Sequence, residues 1–201
     1  MRVRDEDKIP RIYKAAIKVI NRDGFEGSAI SKIASEAGVS PATIYLYFEN
    51  KEDMIKKLFI HVKERMGHSY FAEGMEMTVA KGTFRSIYLN HYQYIIDNLE
   101  EYVFLENYSN SPLFEHVEKT YRMDFCPVFE SLFIRSKNEK LLRPIENDII
   151  YSLLFSPLSY LVKKSKADKT SLSTKDLVDI FEASWRAISI WQPIPTCVNI
   201  R

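Results

Sequence analysis

The sequence predicts an all-α protein of about nine helices. The chain of 201 residues contains only 6 glycines and 8 prolines, fewer turn formers than a loop-rich β protein uses. Apolar residues recur at intervals of three and four along most of its length, whereas no segment alternates in the manner of a strand. Hydrophobic residues make up 46% and charged residues 27%, which is typical of globular proteins and excludes a disordered or fibrous chain.

The first two helices are predicted from their apolar spacing and their ends. Helix one runs from Lys8 to Asp23 with apolar residues on one side and lysines on another. Gly24 supplies a left-handed stop. Ser28 is expected to cap a second helix, which ends at Ala37 before the next glycine.

The third and fourth helices follow a short connection, Gly38-Val39-Ser40. The glycine allows the reversal, the valine is buried, and the serine caps a third helix that begins at Pro41 and runs to about Phe48. Asn50 is expected to cap the fourth helix. Two short helices joined in this way form a helix-turn-helix. The predicted domains are a three-helix unit over residues 1–53 and a second helical domain over 54–201.

The second domain is rich in aromatic residues, which crowd between residues 79 and 136. Helix breaks are predicted near Asn98, near Pro112 and near Asn138. A long helix then runs to about residue 164, and Thr174 is expected to cap a last helix that ends at Ser189. Pro127 and Pro157 either kink their helices or start new ones.

The third helix has three chemically different sides, because positions four apart share a face. Ile44 and Phe48 form the core side. Thr43 and Tyr47 offer hydroxyls that suit phosphate oxygens, and the ammonium group of Lys51 lies close to exposed N–H groups at the next helix start.

The third side, Pro41, Ala42 and Tyr45, is left to meet base edges in a major groove, where apolar atoms touch thymine methyl groups. Three structural alternatives stay open: Tyr45 as a half-buried packing residue, Thr43 as a surface residue that only stabilises its helix, and Tyr47 with Lys51 as residues that have only a structural role.

The stretch from residue 24 to residue 52 resembles the DNA-binding domain of TetR-family transcriptional regulators. The residues that carry the resemblance are Gly24-Phe25, Ile33-Ala34, Ala37-Gly38-Val39-Ser40, Thr43, Tyr45, Tyr47-Phe48 and Asn50-Lys51-Glu52. The resemblance implies that double-stranded DNA is contacted by Ser28, Lys32, Ser40, Pro41, Ala42, Thr43, Tyr45, Tyr47 and Lys51.

Three features depart from the family pattern. Ser28-Ala29 stands where many relatives have a threonine pair, and Glu49 brings negative charge towards the expected DNA backbone. The third helix also lacks Arg, Lys, Asn and Gln, the usual bidentate readers of bases. Sequence choice is therefore expected to rest on apolar contacts, the Tyr45 hydroxyl and DNA shape.

The second domain is expected to bind a small aromatic or lipophilic effector. Tyrosines supply both apolar surface and hydroxyls that orient a ligand, although burial in an ordinary core explains most of these aromatics equally well. The candidate ligand-binding residues are Tyr88, His91, Tyr92, Glu106, Tyr108, Phe125 and Phe129.

The last two long helices carry apolar faces that are expected to form a four-helix interface in a homodimer, as the resemblance implies. Packing within one chain is the alternative explanation. The candidate interface residues are Ile149, Leu153, Tyr160, Leu177, Phe181, Trp185 and Ile188.

Other classes of protein are disfavoured. Neither metal-ligand spacing nor a nucleophile or phosphate-loop motif appears, so we expect no enzyme, no metal and no cofactor. Two cysteines are too few for a disulfide framework. Without a signal peptide or membrane span, a cytoplasmic location is expected. The sequence predicts a ligand-responsive regulator, more specifically a repressor. The alternative is a helix-turn-helix protein that acts mainly through protein partners.

Overall fold

The computed structural model describes residues 8–71, 76–112 and 127–190. Nine helices lie in these ranges, and the residues described there form no strand, which confirms the all-α prediction. One isolated antiparallel bridge joins Leu142 to Ser189. The helices are α1 (Lys8–Gly27), α2 (Ile30–Ala37), α3 (Pro41–Ile44), α4 (Lys51–Ser69), α5 (Lys81–Asp97), α6 (Leu99–Ser109), α7 (Pro127–Asn138), α8 (Asn147–Ala167) and α9 (Thr174–Ile188).

The chain divides into two compact units, one of residues 1–68 with 96–125 and one of residues 69–95 with 126–201. This division differs from the predicted domains, 1–53 and 54–201, because α4 and α6 pack with the N-terminal helices. The ring of Tyr108 on α6 stacks on Phe59 of α4 with 4.5 Å between centroids and meets Phe25 edge-on at 5.8 Å. The amide of Asn21 donates to the Glu100 carbonyl at 2.8 Å.

The core of the first unit is built from the apolar faces that the sequence predicts. Ile12, Ile20, Ile33, Ile44 and Leu58, from α1 to α4, are all essentially inaccessible to solvent. Burial of such side chains is the main favourable term in folding. A helix as short as α3 is therefore held in place by its neighbours, and not by its own propensity.

Several helix ends differ from the predictions. The N-cap of α2 is Ala29 and not Ser28, whose hydroxyl donates to the Phe25 carbonyl at 2.7 Å. The last helix is capped by Ser173 and not Thr174. There the serine hydroxyl accepts from the Asp176 N–H, and the Asp176 carboxylate accepts from the Ser173 N–H.

Two glycines hold the positive φ values that the predicted turns require. Gly38 ends α2 at φ 65° and ψ 39°, in the left-handed region. Gly24 lies within α1 at φ 74° and ψ 173° and interrupts its helical geometry. That combination of angles is adopted almost only by glycine.

The second unit surrounds an aromatic core supplied by α5, α7, α8 and α9. Phe84 stacks parallel to Phe133 at 6.1 Å and lies 5.2 Å from Trp185, while Tyr88 lies 5.2 Å from Phe181. Pairs at these distances add to the stabilisation from area burial. Pro127 begins α7, as one of the two predicted outcomes, and Pro157 lies inside α8.

Candidate functional site

The turn before α3 is fixed by backbone and side-chain hydrogen bonds. The N–H of Val39 donates to the Ala34 carbonyl at 2.9 Å. Ser40 caps α3 as predicted, because its hydroxyl accepts from the Thr43 N–H at 3.2 Å, and Pro41 occupies the first turn. The α-helix ends at Ile44, earlier than the predicted Phe48. A turn follows, in which the backbone N–H of Tyr47 donates to the Ile44 carbonyl at 3.0 Å.

One side of α3 and its following turn faces outward. Pro41 and Ala42 are exposed, Tyr45 is 55% exposed and Leu46 is 63% exposed. The opposite side, formed by Ile44 and Phe48, is buried as predicted. The exposure of Tyr45 favours the surface role over the packing role. We call Pro41, Ala42, Tyr45 and Leu46 the recognition stripe.

Leu46 was missed by the sequence reasoning. Its position four residues after Ala42 places it near the same outward side, and that spacing was the available signal. Leu46 lies in the turn after α3 and is the largest aliphatic side chain of the recognition stripe.

The two hydroxyl-bearing residues predicted to contact phosphates lie at the edge of the recognition stripe. Thr43 and Tyr47 are both half-buried. The Thr43 hydroxyl shares a 2.9 Å hydrogen bond with the Ser40 hydroxyl, and the Tyr47 ring lies 6.4 Å from that of Phe48.

The two candidate lysines hold the end of α1. The ammonium group of Lys51 donates to the Phe25 carbonyl. That of Lys32 donates to the Gly27 carbonyl at 3.0 Å and to the Asp23 carboxylate at 2.9 Å. Hydrogen bonds from Arg22 and Lys32 hold the pKa of Asp23 well below its ordinary value.

Ser28 is corrected as a DNA-contact candidate. Its side chain is fully buried and its hydroxyl is used within the chain, so it offers no surface to a phosphate. Glu49 remains exposed beside α3, and its backbone N–H donates to the Asp53 carboxylate at 3.0 Å.

The candidate ligand-binding residues fall in both units. Tyr88, His91 and Phe129 lie buried in the second unit, and Tyr92 is half-buried there. Glu106 and Tyr108 belong to the first unit, where Glu106 accepts a hydrogen bond from Tyr102 at 3.0 Å. Phe125 lies outside the described residues.

A buried polar chain crosses the second unit. The hydroxyl of Tyr70 lies 2.9 Å from His91 Nδ1, and His91 Nε2 lies 3.4 Å from the Ser159 hydroxyl. Tyr70 also hydrogen-bonds Tyr151, whose pKa is raised by burial. Tyr70 and Ser159 do not appear among the predicted ligand-binding residues.

Tyr88 differs from these groups, because its hydroxyl is buried and finds no hydrogen-bond partner in the structure as far as the chain is described. Burial raises the pKa of this phenol, so the hydroxyl keeps its proton at neutral pH and stays a potential donor. An unsatisfied buried hydroxyl is uncommon in folded proteins and calls for an explanation.

The predicted dimer interface divides into two sets. Ile149, Leu153 and Tyr160 are exposed on α8. On α9, the predicted residues face the unit's own core and offer little surface to a second copy; they are Leu177, Phe181, Trp185 and Ile188. The outward side of α9 carries Ile180, Ala183 and Ala187, which line a groove of about 490 Å³ together with Leu153, Pro157 and Leu161 of α8.

Among the described residues, no group of three or more His, Cys, Asp or Glu side chains could hold a metal ion. In the same ranges, every helix is too short or too polar to cross a membrane.

Models of known protein families match both parts of the chain. The N-terminal model of bacterial regulatory proteins of the TetR family matches residues 12–58. The model of a tetracyclin repressor-like C-terminal domain matches residues 80–189, more than half of the chain.

Individual relatives agree with these matches. The fatty acid metabolism regulator protein of Bacillus subtilis is 51% identical over 69 residues, which are 34% of this chain and a third (33%) of that protein. An HTH-type transcriptional regulator of Haemophilus influenzae is 24% identical over 188 residues, which are 94% of this chain and 99% of that one.

A solved structure shares the fold. The crystal structure of a TetR family transcription regulator from Marinobacter aquaeolei aligns with a TM-score of 0.84 at 21% identity, over 94% of this chain and 99% of the other. The family matches, the helix-turn-helix and the two-part helical fold lead to one conclusion. The chain belongs to the TetR family of bacterial transcriptional regulators and is a DNA-binding protein, not an enzyme.

Proposed function

We propose that the protein is a homodimeric repressor that binds a palindromic operator through its two recognition stripes and is released by a small aromatic or lipophilic effector. The observation that carries the proposal is the outward side of α3. Tyr45 and Leu46 are more than half exposed while Ile44 and Phe48, on the other side of the same helical segment, are buried. A helix in this position of a helix-turn-helix enters the major groove.

Half-sites in such operators lie about 34 Å apart, one helical turn of DNA, and mirror the two-fold symmetry of the protein. Residues 1–70, which carry this surface, contain 13 basic and 10 acidic side chains. Contacts to phosphates release counterions, so binding to a specific duplex is expected to weaken steeply as salt rises.

The test is selection of bound fragments from random duplex DNA with the full-length chain, followed by titrations at several salt concentrations. Lys51→Ala is expected to lower the slope of log K against log salt by about one. Lys175→Ala is the matched control, because Lys175 pairs with Asp179 on α9. A selection that enriches no sequence, or equal slopes for the two variants and the wild type, would contradict the proposed DNA contact.

The proposed dimer uses the groove between α8 and α9. Leu153, Ile149 and Tyr160 expose apolar area on α8, and small residues on α9, such as Ala183, permit close approach of a second copy. Closed two-fold symmetry is the commonest arrangement of soluble oligomers. Light scattering at micromolar concentration is expected to give the mass of a dimer, and a monomer would refute this part.

The proposed effector site lies in the second unit and includes the Tyr88 hydroxyl. A ligand acceptor would satisfy this donor, while the surrounding rings of Phe155 and Phe181 supply apolar contact. One relative is named for fatty acid metabolism, so a long-chain acyl thioester belongs in the test panel beside aromatic compounds. Two effects of each compound are measured, the shift in Tm of the protein and the release of the protein from the operator. We expect at least one compound to produce both effects.

The second candidate is a helix-turn-helix protein that acts mainly through protein partners. One property of the recognition stripe favours this second candidate, because none of the side chains of the stripe can form a bidentate hydrogen bond with a base edge. The duplex selection separates the two functions: an enriched palindrome supports the repressor, and the absence of one supports the partner-binding protein.

A further inference from the structure

The recognition stripe is unusual in its chemistry. Leu46 is 63% exposed and Tyr45 is 55% exposed, and the other members are a proline and an alanine. Apart from the Tyr45 hydroxyl, the stripe presents only carbon to whatever covers it. For an exposed aliphatic side chain, the most favourable change in free energy on binding comes from contact with apolar atoms that displace the surrounding water.

The edges of DNA bases offer few apolar features. In the major groove, guanine, cytosine and adenine present hydrogen-bond donors and acceptors, whereas thymine adds a C5 methyl group. The partner that fits Leu46 in a groove is therefore a thymine methyl.

We propose that Leu46 is a specificity-determining residue that contacts the methyl group of one thymine in each half-site, while Ala42 contacts a second thymine within about two base pairs of the first. The proposal rests on the proposed function, because it requires α3 to lie in the major groove. It also predicts a feature of the operator, two thymines at a fixed spacing.

The spacing follows from the backbone. Between Ala42 and Leu46 the chain advances by about 6 Å at the α-helical rise per residue. The Leu46 N–H donates to the Thr43 carbonyl at 3.2 Å, three residues back, and such turns rise slightly more per residue. A helix that lies along the major groove is inclined to the duplex axis, so a distance of 6–7 Å along the helix spans at most about two base-pair steps of 3.4 Å.

The experiment uses the full-length protein and the duplex obtained by selection. Each thymine of a half-site is replaced in turn by deoxyuridine, which removes the methyl group and keeps every hydrogen-bonding atom. At two positions, within about two base pairs of each other, we expect binding to weaken about fourfold, the equivalent of one buried methyl group. At one of them, Leu46→Ala is expected to abolish the difference between thymine and deoxyuridine, because the two changes remove the same contact.

Two further variants serve as controls. Leu89→Ala is the matched control, since Leu89 is an exposed leucine of the second unit, and it is expected to leave the deoxyuridine profile unchanged. Leu46→Met keeps an apolar side chain and is expected to keep the sensitivity to the methyl group. Circular dichroism checks that all three variants retain the helical content of the wild type.

The outcomes separate the two proposals. Loss of methyl sensitivity at one thymine in Leu46→Ala supports the inference. If Leu46→Ala leaves the thymine-to-deoxyuridine difference unchanged at every position, the inference is overturned and DNA binding stands. If the wild-type protein selects no duplex at all, the proposed function is overturned and the inference with it.

Discussion

Replacing Tyr88 by phenylalanine is expected to stabilise the protein, which is the reverse of the usual effect of truncating a buried side chain. The Tyr88 hydroxyl is buried without a hydrogen-bond partner in the described structure. Leaving such a group unsatisfied costs about 1–3 kcal/mol, and the phenylalanine ring keeps the packing against Phe155 and Phe181. After a small loss of contacts, we expect the free energy of unfolding to rise by about 1 kcal/mol.

The matched control is Tyr70→Phe. Tyr70 is equally buried, but its hydroxyl bonds His91 at 2.9 Å, so removing it leaves His91 Nδ1 without that partner. This variant is expected to lose about 2 kcal/mol. For a chain of this size, 1 kcal/mol shifts Tm by about 2–4 °C. Tyr88→Phe should therefore melt about 2–4 °C higher than the wild type, and Tyr70→Phe about 4–8 °C lower.

The assay is thermal unfolding followed by circular dichroism, at one protein concentration so that dimerisation does not contribute to the difference. If Tyr88→Phe lowers Tm as far as Tyr70→Phe, the hydroxyl is satisfied in the folded protein and the reasoning is refuted. Under the proposed function, the same Tyr88 variant binds the effector more weakly, although it is more stable.

Three other perturbations give defined outcomes. Gly24→Ala is expected to lower the free energy of unfolding by about 1–3 kcal/mol in urea titrations. No atom lies within 4 Å of the added Cβ, so the expected loss comes from the backbone angles alone. An unchanged free energy of unfolding would show that the backbone relaxes there. Ala183→Glu is expected to convert the proposed dimer to a monomer in light scattering, whereas a persistent dimer would place the interface elsewhere. Hydrogen bonds from Ser173 lower the pKa of Asp176, so its contribution is complete above about pH 4 and lost as pH falls further. Asp176→Asn should therefore lower Tm at pH 7 but not at about pH 2, and an equal deficit at both values would exclude the carboxylate as the cause.

The core and the turn of the DNA-binding unit could be predicted because their signals are local. The spacing of Ile44 and Phe48 assigns both to one side of a short helix, and Gly38 marks the reversal before it. Both side chains are buried and the glycine has φ 65°. Such features depend on neighbouring residues, which a sequence pattern records directly.

The difference between the predicted and the observed cap of the last helix also has a local cause. Ser173 and Thr174 are adjacent hydroxyl residues, and either could cap a helix. The structure uses Ser173, whose partner Asp176 lies three positions later. That capping-box spacing, visible in the sequence, distinguishes Ser173 from Thr174 as the cap.

The outward side of α9, which the proposed dimer uses, could not be predicted from periodicity alone. Helix α9 has apolar residues on two sides, with Phe181 and Trp185 on one and Ile180 and Ala183 on the other. Helical spacing shows which residues share a side, but not which side meets the chain's own core. In the structure the larger side chains fill the core and the smaller ones face outward.

The contacts of Lys32 and Lys51 with carbonyls at the end of α1 have a consequence for the affinity of the proposed DNA complex. Long side chains give up about 1.5–2 kcal/mol of rotamer entropy when they are fixed, and here part of that loss has already occurred in the free protein. Under the proposed function, two preorganised cations near the phosphates would lose less rotamer entropy on binding, so more of their attraction to DNA would appear as affinity. Each ammonium group has three donor hydrogens, so it can keep its bond to the carbonyl and still donate to an incoming phosphate oxygen.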